Sequence, residues 1–282
     1  MSGDFALATF LSSYKPIPSS VPSWGERQAT WPATTATLIT AGREAVLVDA
    51  LMTVAEGEQL ASWISGSGHP ALASIYVTHA HADHFFGATS VLPHFPAARL
   101  ISRSEIAAAA QQQVSPGNLD VWNSFFPGQI AEHPAVPDAL DGDLMLAGHL
   151  LRAIDVGYSD VPSSSVLHVP EQDTVVCGDV AYNGVHMWLA GSTPATRGKW
   201  LEALNAIEKL QPRTIIAGHK DPGAPDDDAA RVLDESRQYL QDFEQAAAAG
   251  SPADVIAAVM ARHGDLGNPY TLWFAAHNLP VA

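Results

Sequence analysis

Cysteine is nearly absent: Cys177 is the single one in 282 residues. That excludes an internal disulfide framework and agrees with a reducing compartment. Basic residues are scarce as well, with 14 lysines and arginines against 30 aspartates and glutamates and a formal net charge of −16. A nucleic-acid binder needs a basic face to meet phosphate, and no Lys/Arg-rich run is present, so no nucleic-acid partner is expected. No apolar run reaches the roughly 18 residues that cross a bilayer. The start, Met1-Ser2-Gly3-Asp4, lacks the basic stretch of a secretory signal. The expectation is a soluble, cytoplasmic protein that acts on a small molecule, without a membrane partner. Its oligomeric state is left open, a homodimer among the options.

Apolar residues make up 47% of the chain, ample for a well-buried core in one large domain or two small ones. Residues 1–33 carry Pro16, Pro18, Pro22 and Pro32 without a clear period and are expected as an irregular arm laid on the body. Residues 35–40 and 45–49 read as a β-hairpin. Leu60, Trp63 and Ile64 predict a helix within 57–68. A buried-type strand follows at 74–77, then a helix at 85–92 ended by Pro93, a strand at 99–102 and a helix at 104–113. Trp122, Phe125 and Phe126 fall in a looser, Pro- and Gly-punctuated segment.

The second half repeats the alternation. Strands are expected at 143–146, 149–156, 165–169, 174–177 and 214–217. A helix capped by Thr193-Pro194 precedes the last of them. Helices over 226–249, 252–263 and 269–278 close the chain, with residues 226–282 packing on the body. Two βα-rich halves with a sheet in each predict an αββα sandwich, one domain over 1–282.

Chemistry concentrates in Thr78-His79-Ala80-His81-Ala82-Asp83-His84, directly after the strand at 74–77. Alternate side chains of extended chain point to one side, so His79, His81 and Asp83 can converge beyond the sheet edge. His84 follows where the chain turns toward a helix, able to serve a second ion. Imidazole with carboxylate suits zinc, iron or manganese better than calcium or magnesium.

This stretch resembles the HxHxDH signature of the metallo-β-lactamase superfamily. The resemblance implies an αββα sandwich of the metallo-β-lactamase type, two mixed sheets flanked by helices, holding two divalent ions, zinc by preference with iron or manganese as alternatives. It extends to Cys177-Gly178-Asp179, whose Asp179 matches the bridging carboxylate, and to Ala217-Gly218-His219, whose His219 matches the last histidine. Asp49, at the end of the hairpin, matches an outer carboxylate and reads equally well as a turn residue.

One expected ligand is missing. The family's Gly-His step is Gly157-Tyr158-Ser159-Asp160 here, with Tyr158 where the histidine belongs. A neutral phenol is a poor zinc ligand, so a weaker first site, another metal or a substitute such as His186 is implied. His186 reads also as a substrate contact or a plain loop histidine. His168 is expected as a packed core residue.

Ions held in this way lower the pKa of bound water and polarise a carbonyl. The implied reaction is hydrolysis of an ester, thioester, lactone or amide, with Asp83 passing a proton to the leaving group. Tyr182, three residues after Asp179, resembles the substrate-binding tyrosine of acyl-homoserine-lactone lactonases, which places lactones first; packing beneath the site is its other reading. A glyoxalase II-type thioesterase, for which Arg197, Lys199 and Lys220 would supply positive charge, and a β-lactam hydrolase are alternatives. An iron oxidoreductase and a non-catalytic metal-binding protein rank below them.

Overall fold

The computed structural model describes residues 5–18, 29–68, 70–248 and 250–280. Its first half runs β1 (Phe5–Leu11), β2 (Lys15–Pro16), β3 (Thr30–Trp31), β4 (Thr35–Ala41), β5 (Glu44–Val48), α1 (Val54–Gly66), β6 (Ala71–Val77), α2 (Ala82–Phe85), α3 (Ala88–Val91), β7 (Arg99–Ser102), α4 (Ser104–Gln113), α5 (Pro116–Phe125) and β8 (Asp138–Ala139). The second half runs β9 (Leu144–Leu146), β10 (His149–Gly157), β11 (Ser164–Val169), β12 (Thr174–Gly178), α6 (Pro194–Glu208), β13 (Thr214–Ala217), α7 (Ala229–Ala247), α8 (Pro252–His263) and α9 (Pro269–His277).

Strand alternation sorts these elements into four layers. In β6, Ile75 and Val77 join one apolar cluster with Leu60 and Ile64 of α1, while Tyr76 between them joins another. In β12, Val175 and Cys177 face Trp200 of α6 and Val232 of α7, while Val176 faces the opposite way. The middle cluster takes Ile39, Val48 and Tyr76 from one sheet and Leu151, Leu167 and Val176 from the other. Sheet therefore packs on sheet, and each carries helices on its outer face, the expected αββα arrangement.

The first sheet has the order β1-β4-β5-β6-β7-β8 and the second β13-β12-β11-β10-β9. Both are mixed: β5, β6, β7 and β8 run parallel, as do β12 and β13, and the remaining pairs in the two sheets are antiparallel. Parallel neighbours bring their carboxyl ends to one rim, where crevices in such sheets form. The sheets are tied together at that rim. Ser165 N–H donates to Thr78 O (2.9 Å), Thr35 N–H to Gly218 O (2.8 Å), and the Tyr76 hydroxyl meets Ser165 Oγ at 2.7 Å.

Three local expectations change. Residues 5–11 are not an irregular arm: β1 pairs antiparallel with β4 from Phe5↔Ala41 to Leu11↔Thr35. The prolines start only at Pro16, and the proline-free stretch before them is free to complete a sheet edge. Part of the expected arm, residues 19–28, lies outside the described residues. The looser segment around Trp122 is helix α5, started by Pro116 at its first turn, where the missing N–H costs nothing. The helix expected at 85–92 is two short ones, α2 and α3, with Gly87 between them. At the C-terminus, α9 spans both halves, with Tyr270 in the α1-side cluster and Leu272 and Ala275 in the α6-side one.

Helix α1 begins three residues before its expected start, because Thr53 and Glu56 form a reciprocal capping box. Glu56 also receives Lys15 Nζ at 2.8 Å, with both side chains about nine-tenths buried. Removing one member of a buried pair strands the other. Glu56→Ala is expected to cost about 3–5 kcal/mol in chemical denaturation, against about 1 kcal/mol for Thr53→Ala.

Candidate metal centre

Buried or nearly buried side chains that follow the ends of β6, β10, β12 and β13 meet at the rim. His79, His81, Asp160 and Asp179 form one group of donor atoms, all within 4.8 Å of one another; Asp83, His84 and His219 form a second. Asp179 lies between them, with Oδ1 3.2 Å from His84 Nε2 and Oδ2 3.1 Å from His219 Nε2 and 3.9 Å from His79 Nε2.

Each imidazole is aimed by what holds its other face. His84 Nδ1 is bound by Asp49 Oδ2 (2.8 Å), His219 Nδ1 by the Ala33 carbonyl (2.7 Å) and His79 Nδ1 by Thr78 Oγ1 (3.0 Å). All three Nε2 atoms therefore face inward, the arrangement that outer hydrogen bonds impose on metal-binding histidines. Asp49 does more than end a turn. Its Oδ1 accepts Thr78 N–H at 2.9 Å and its Oδ2 accepts Thr78 Oγ1 at 2.9 Å, so one carboxylate fixes both the start of the loop and His84. On the far side, Asp83 Oδ2 accepts Trp31 Nε1–H (2.9 Å) and Thr34 Oγ1 (3.2 Å).

Two glycines make the close approach possible. A Cβ on Gly218 would lie 2.4 Å from Asp179 Oδ1 and 2.8 Å from His84 Cε1. Gly178 has φ +51° and room for no side chain, since a Cβ there would meet Thr78 Oγ1 at 2.4 Å.

Charge follows geometry. Burial alone would raise Asp83 and Asp179, but the histidines around them outweigh it and hold both carboxyls well below the usual range. Burial would likewise lower His81, His84 and His219, and the adjacent carboxylates reverse it, raising all three. For His79 burial prevails, reinforced by repulsion from His84. His79 Nε2, His84 Nε2, Asp160 Oδ2 and Asp179 Oδ1 are buried without a hydrogen bond among the described residues. Orphaned buried donors and acceptors need a partner, and four of them converging from imidazole and carboxylate fit divalent metal.

The sequence-predicted residues distribute unevenly. His79, His81, Asp83, His84, Asp179 and His219 are brought together. Tyr158 is not: it is half-buried and packs toward the α6-side core. Asp160, two residues on, stands with His79, His81 and Asp179 instead, a residue the sequence reading passed over. No strand period announces it: β10 ends at Gly157, which has φ +84°, and the chain bends at 159–160, so Tyr158 and Asp160 turn to different sides. His186 also stays away, with its Nδ1 at 2.9 Å from the hydroxyl of Tyr239 on α7. Tyr182 is buried and donates its hydroxyl to Asp179 Oδ2 at 2.8 Å.

Residues 29–219 match the model of the metallo-beta-lactamase superfamily, and the chain belongs to that superfamily, whose members are in general metal-dependent hydrolases. Among solved structures, a beta-lactamase domain protein from Burkholderia ambifaria aligns with TM-score 0.65 at 14% identity over 98% of this chain and 87% of its own. A metallo-beta-lactamase family protein from Thermus thermophilus gives 0.64 at 19% over 95% and 90%. The metallo-beta-lactamase FIM-1 from Pseudomonas aeruginosa, in its mono-zinc form, gives 0.58 at 17% over 86% and 96%. At such identities these share the fold. No curated protein matches. No helix among the described residues is long and apolar enough to cross a membrane.

Two outcomes are expected. Gly218→Ala displaces Asp179 and lowers metal affinity about 10- to 100-fold, read by titration of metal-free protein. His186, driven down to about 4 first by burial and then by His263, has a folded value below its ordinary 6.5. The unfolded chain then binds the proton more readily, so stability is lost as pH falls from about 6.5 to about 4. At about 1.4 kcal/mol per pH unit the loss approaches about 3 kcal/mol. His186→Gln should flatten that slope in denaturation of metal-free protein.

Proposed function

We propose that the protein is a metal-dependent hydrolase of uncharged ester-type bonds, lactones first among them. The observation that carries this reading is the convergence of inward-facing, unpartnered imidazole and carboxylate atoms at the rim of a metallo-beta-lactamase fold. His79, His81, Asp160, Asp179, Asp83, His84 and His219 would hold two divalent ions, zinc or another first-row metal. When bound, such ions supply a nucleophile from water at neutral pH and polarise the substrate carbonyl.

The chain's own residues perform the rest. Asp83, anchored through Oδ2 by Trp31 and Thr34, takes the proton from the attacking water at Oδ1. The new C–O bond forms as that water attacks, and Asp83 then delivers the proton to the alkoxide as the acyl C–O bond breaks. Tyr182 acts as a positioning residue, holding Asp179 through its hydroxyl.

Two features favour an uncharged, apolar substrate. The cations that a glutathione thioester or a β-lactam carboxylate would call on are engaged or remote. Lys220 Nζ lies 2.6 Å from both oxygens of Asp226, Arg197 pairs with Glu244, and Lys199 points to solvent on α6. Beside the centre stand aromatic rings instead. Trp31, one hydrogen bond from Asp83, contacts Trp122 (5.4 Å), Phe125 (6.1 Å) and Trp188 (5.0 Å), and Trp188 stacks on Phe274 at 4.9 Å. Half-buried indoles and phenyls suit an acyl chain or an apolar ring.

Hydrolysis of acyl lactones, aryl esters, an anionic thioester and a β-lactam should rank the neutral apolar esters first, by about tenfold or more in kcat/KM. Metal chelation should abolish turnover, and Asp83→Asn should lower kcat about 10²- to 10⁴-fold. Equal or better turnover of the anionic substrates would overturn the assignment.

A further inference from the structure

We infer that Asp160 is a metal ligand and that it gives the first metal position the same donor set as the second. This rests on the metal-holding half of the proposed function and not on ester hydrolysis.

The Asp160 side chain is fully buried. Its Oδ1 accepts the Ser159 hydroxyl at 2.7 Å, and Ser159 Oγ is in turn 2.6 Å from Ser164 Oγ. This pair of serines fixes the carboxylate plane from behind. Oδ2 is left facing forward, 2.6 Å from His81 Nδ1 and 3.7 Å from His79 Nε2. A carboxylate tethered on one oxygen, with the other aimed among imidazole nitrogens, is the geometry of a ligand with an outer support.

With Asp160 included, each position has two imidazoles and one carboxylate of its own. The first has His79, His81 and Asp160; the second has His84, His219 and Asp83; Asp179 is shared. Two imidazoles with one carboxylate form the set suited to ferrous iron, and further carboxylate oxygen favours manganese. Zinc outranks manganese in raw affinity at almost any nitrogen and oxygen site, so the consequence lies in the ratio. An aspartate in place of an imidazole moves the manganese-to-zinc ratio of this chain toward manganese.

The test uses the full chain stripped of metal, as wild type, Asp160→Asn and Asp160→His. Each is dialysed against manganese and zinc, alone and in competition, with ion content measured by elemental analysis. Manganese-loaded samples are examined by electron paramagnetic resonance. Wild type should hold two manganese ions per chain with the spectrum of a coupled pair. Asp160→Asn should lose about 10- to 100-fold in affinity at one position and show isolated ions. Asp160→His should keep two ions and shift the competition toward zinc by about tenfold or more.

Two ions bound at wild-type affinity in Asp160→Asn, with an unchanged ratio in Asp160→His, would overturn the inference and reduce Asp160 to an ion-pair partner of His81. Thermal unfolding of the metal-free variants checks folding, and if one variant does not fold the other decides. Ester turnover is scored separately. Normal hydrolysis with unaltered metal binding in both variants defeats this inference alone, whereas the expected metal losses without wild-type turnover defeat only the hydrolase reading.

Discussion

Three carboxylates buried side by side at the meeting of two sheets need positive charge among them. Asp83, Asp160 and Asp179 repel one another, and burial penalises each ionised form. Four imidazoles interleave with them, and the mutual shifts show how strong the compensation is: the carboxyls are held down while His81, His84 and His219 are held up. Protons on those histidines are what a divalent ion would have to displace, so metal uptake releases protons and weakens as pH falls. The rest of the rim serves this balance. Asp49, Thr78, the Ala33 carbonyl, Trp31, Tyr182 and Ser159 each give one polar contact to fix the direction of a charged or chargeable group.

The fold's part is to deliver those groups from distant stretches of chain to one place. Parallel pairing of β5 with β6 and of β12 with β13 aligns the ends that carry Asp49, His79, Asp179 and His219. Contacts between sheets at Thr78, Ser165, Thr35 and Gly218 lock the two halves at the same rim. Gly178 and Gly218 then allow backbone to pass within van der Waals range of ligating atoms, which no other residue would permit. Local rigidity at the rim thus comes from backbone hydrogen bonds and steric exclusion, and the aromatic cluster around Trp31 shields Asp83 on one side.

Much of this was legible in the sequence. The short ligand-rich stretch and the two Gly-led steps at strand ends have local signatures, and short apolar runs of strand length announced both sheets. What escaped reading was set by non-local geometry. β1 looked like part of a proline-rich arm because its partner, β4, is remote in sequence, and edge pairing leaves no local mark. Asp160 escaped because motif matching fixes on one position, Tyr158, while the chain bends after β10 and presents the residue two further on. Tyr182 was read either as reaching a substrate or as packed beneath the site, and in the structure its hydroxyl is given to Asp179. Sequence spacing locates a side chain along the strand and does not reveal which neighbour has claimed it.

The single cysteine has a practical meaning. Cys177 lies within β12 with no exposed surface, and burial above all pushes its thiol up to about 12. Since the thiolate is the reactive form, alkylating reagents and mild oxidants find almost nothing to attack in the folded chain. The centre itself contains no sulfur. The native protein is in effect a thiol-silent background, on which a cysteine introduced at any exposed position would be the one handle for attaching a fluorophore or spin label.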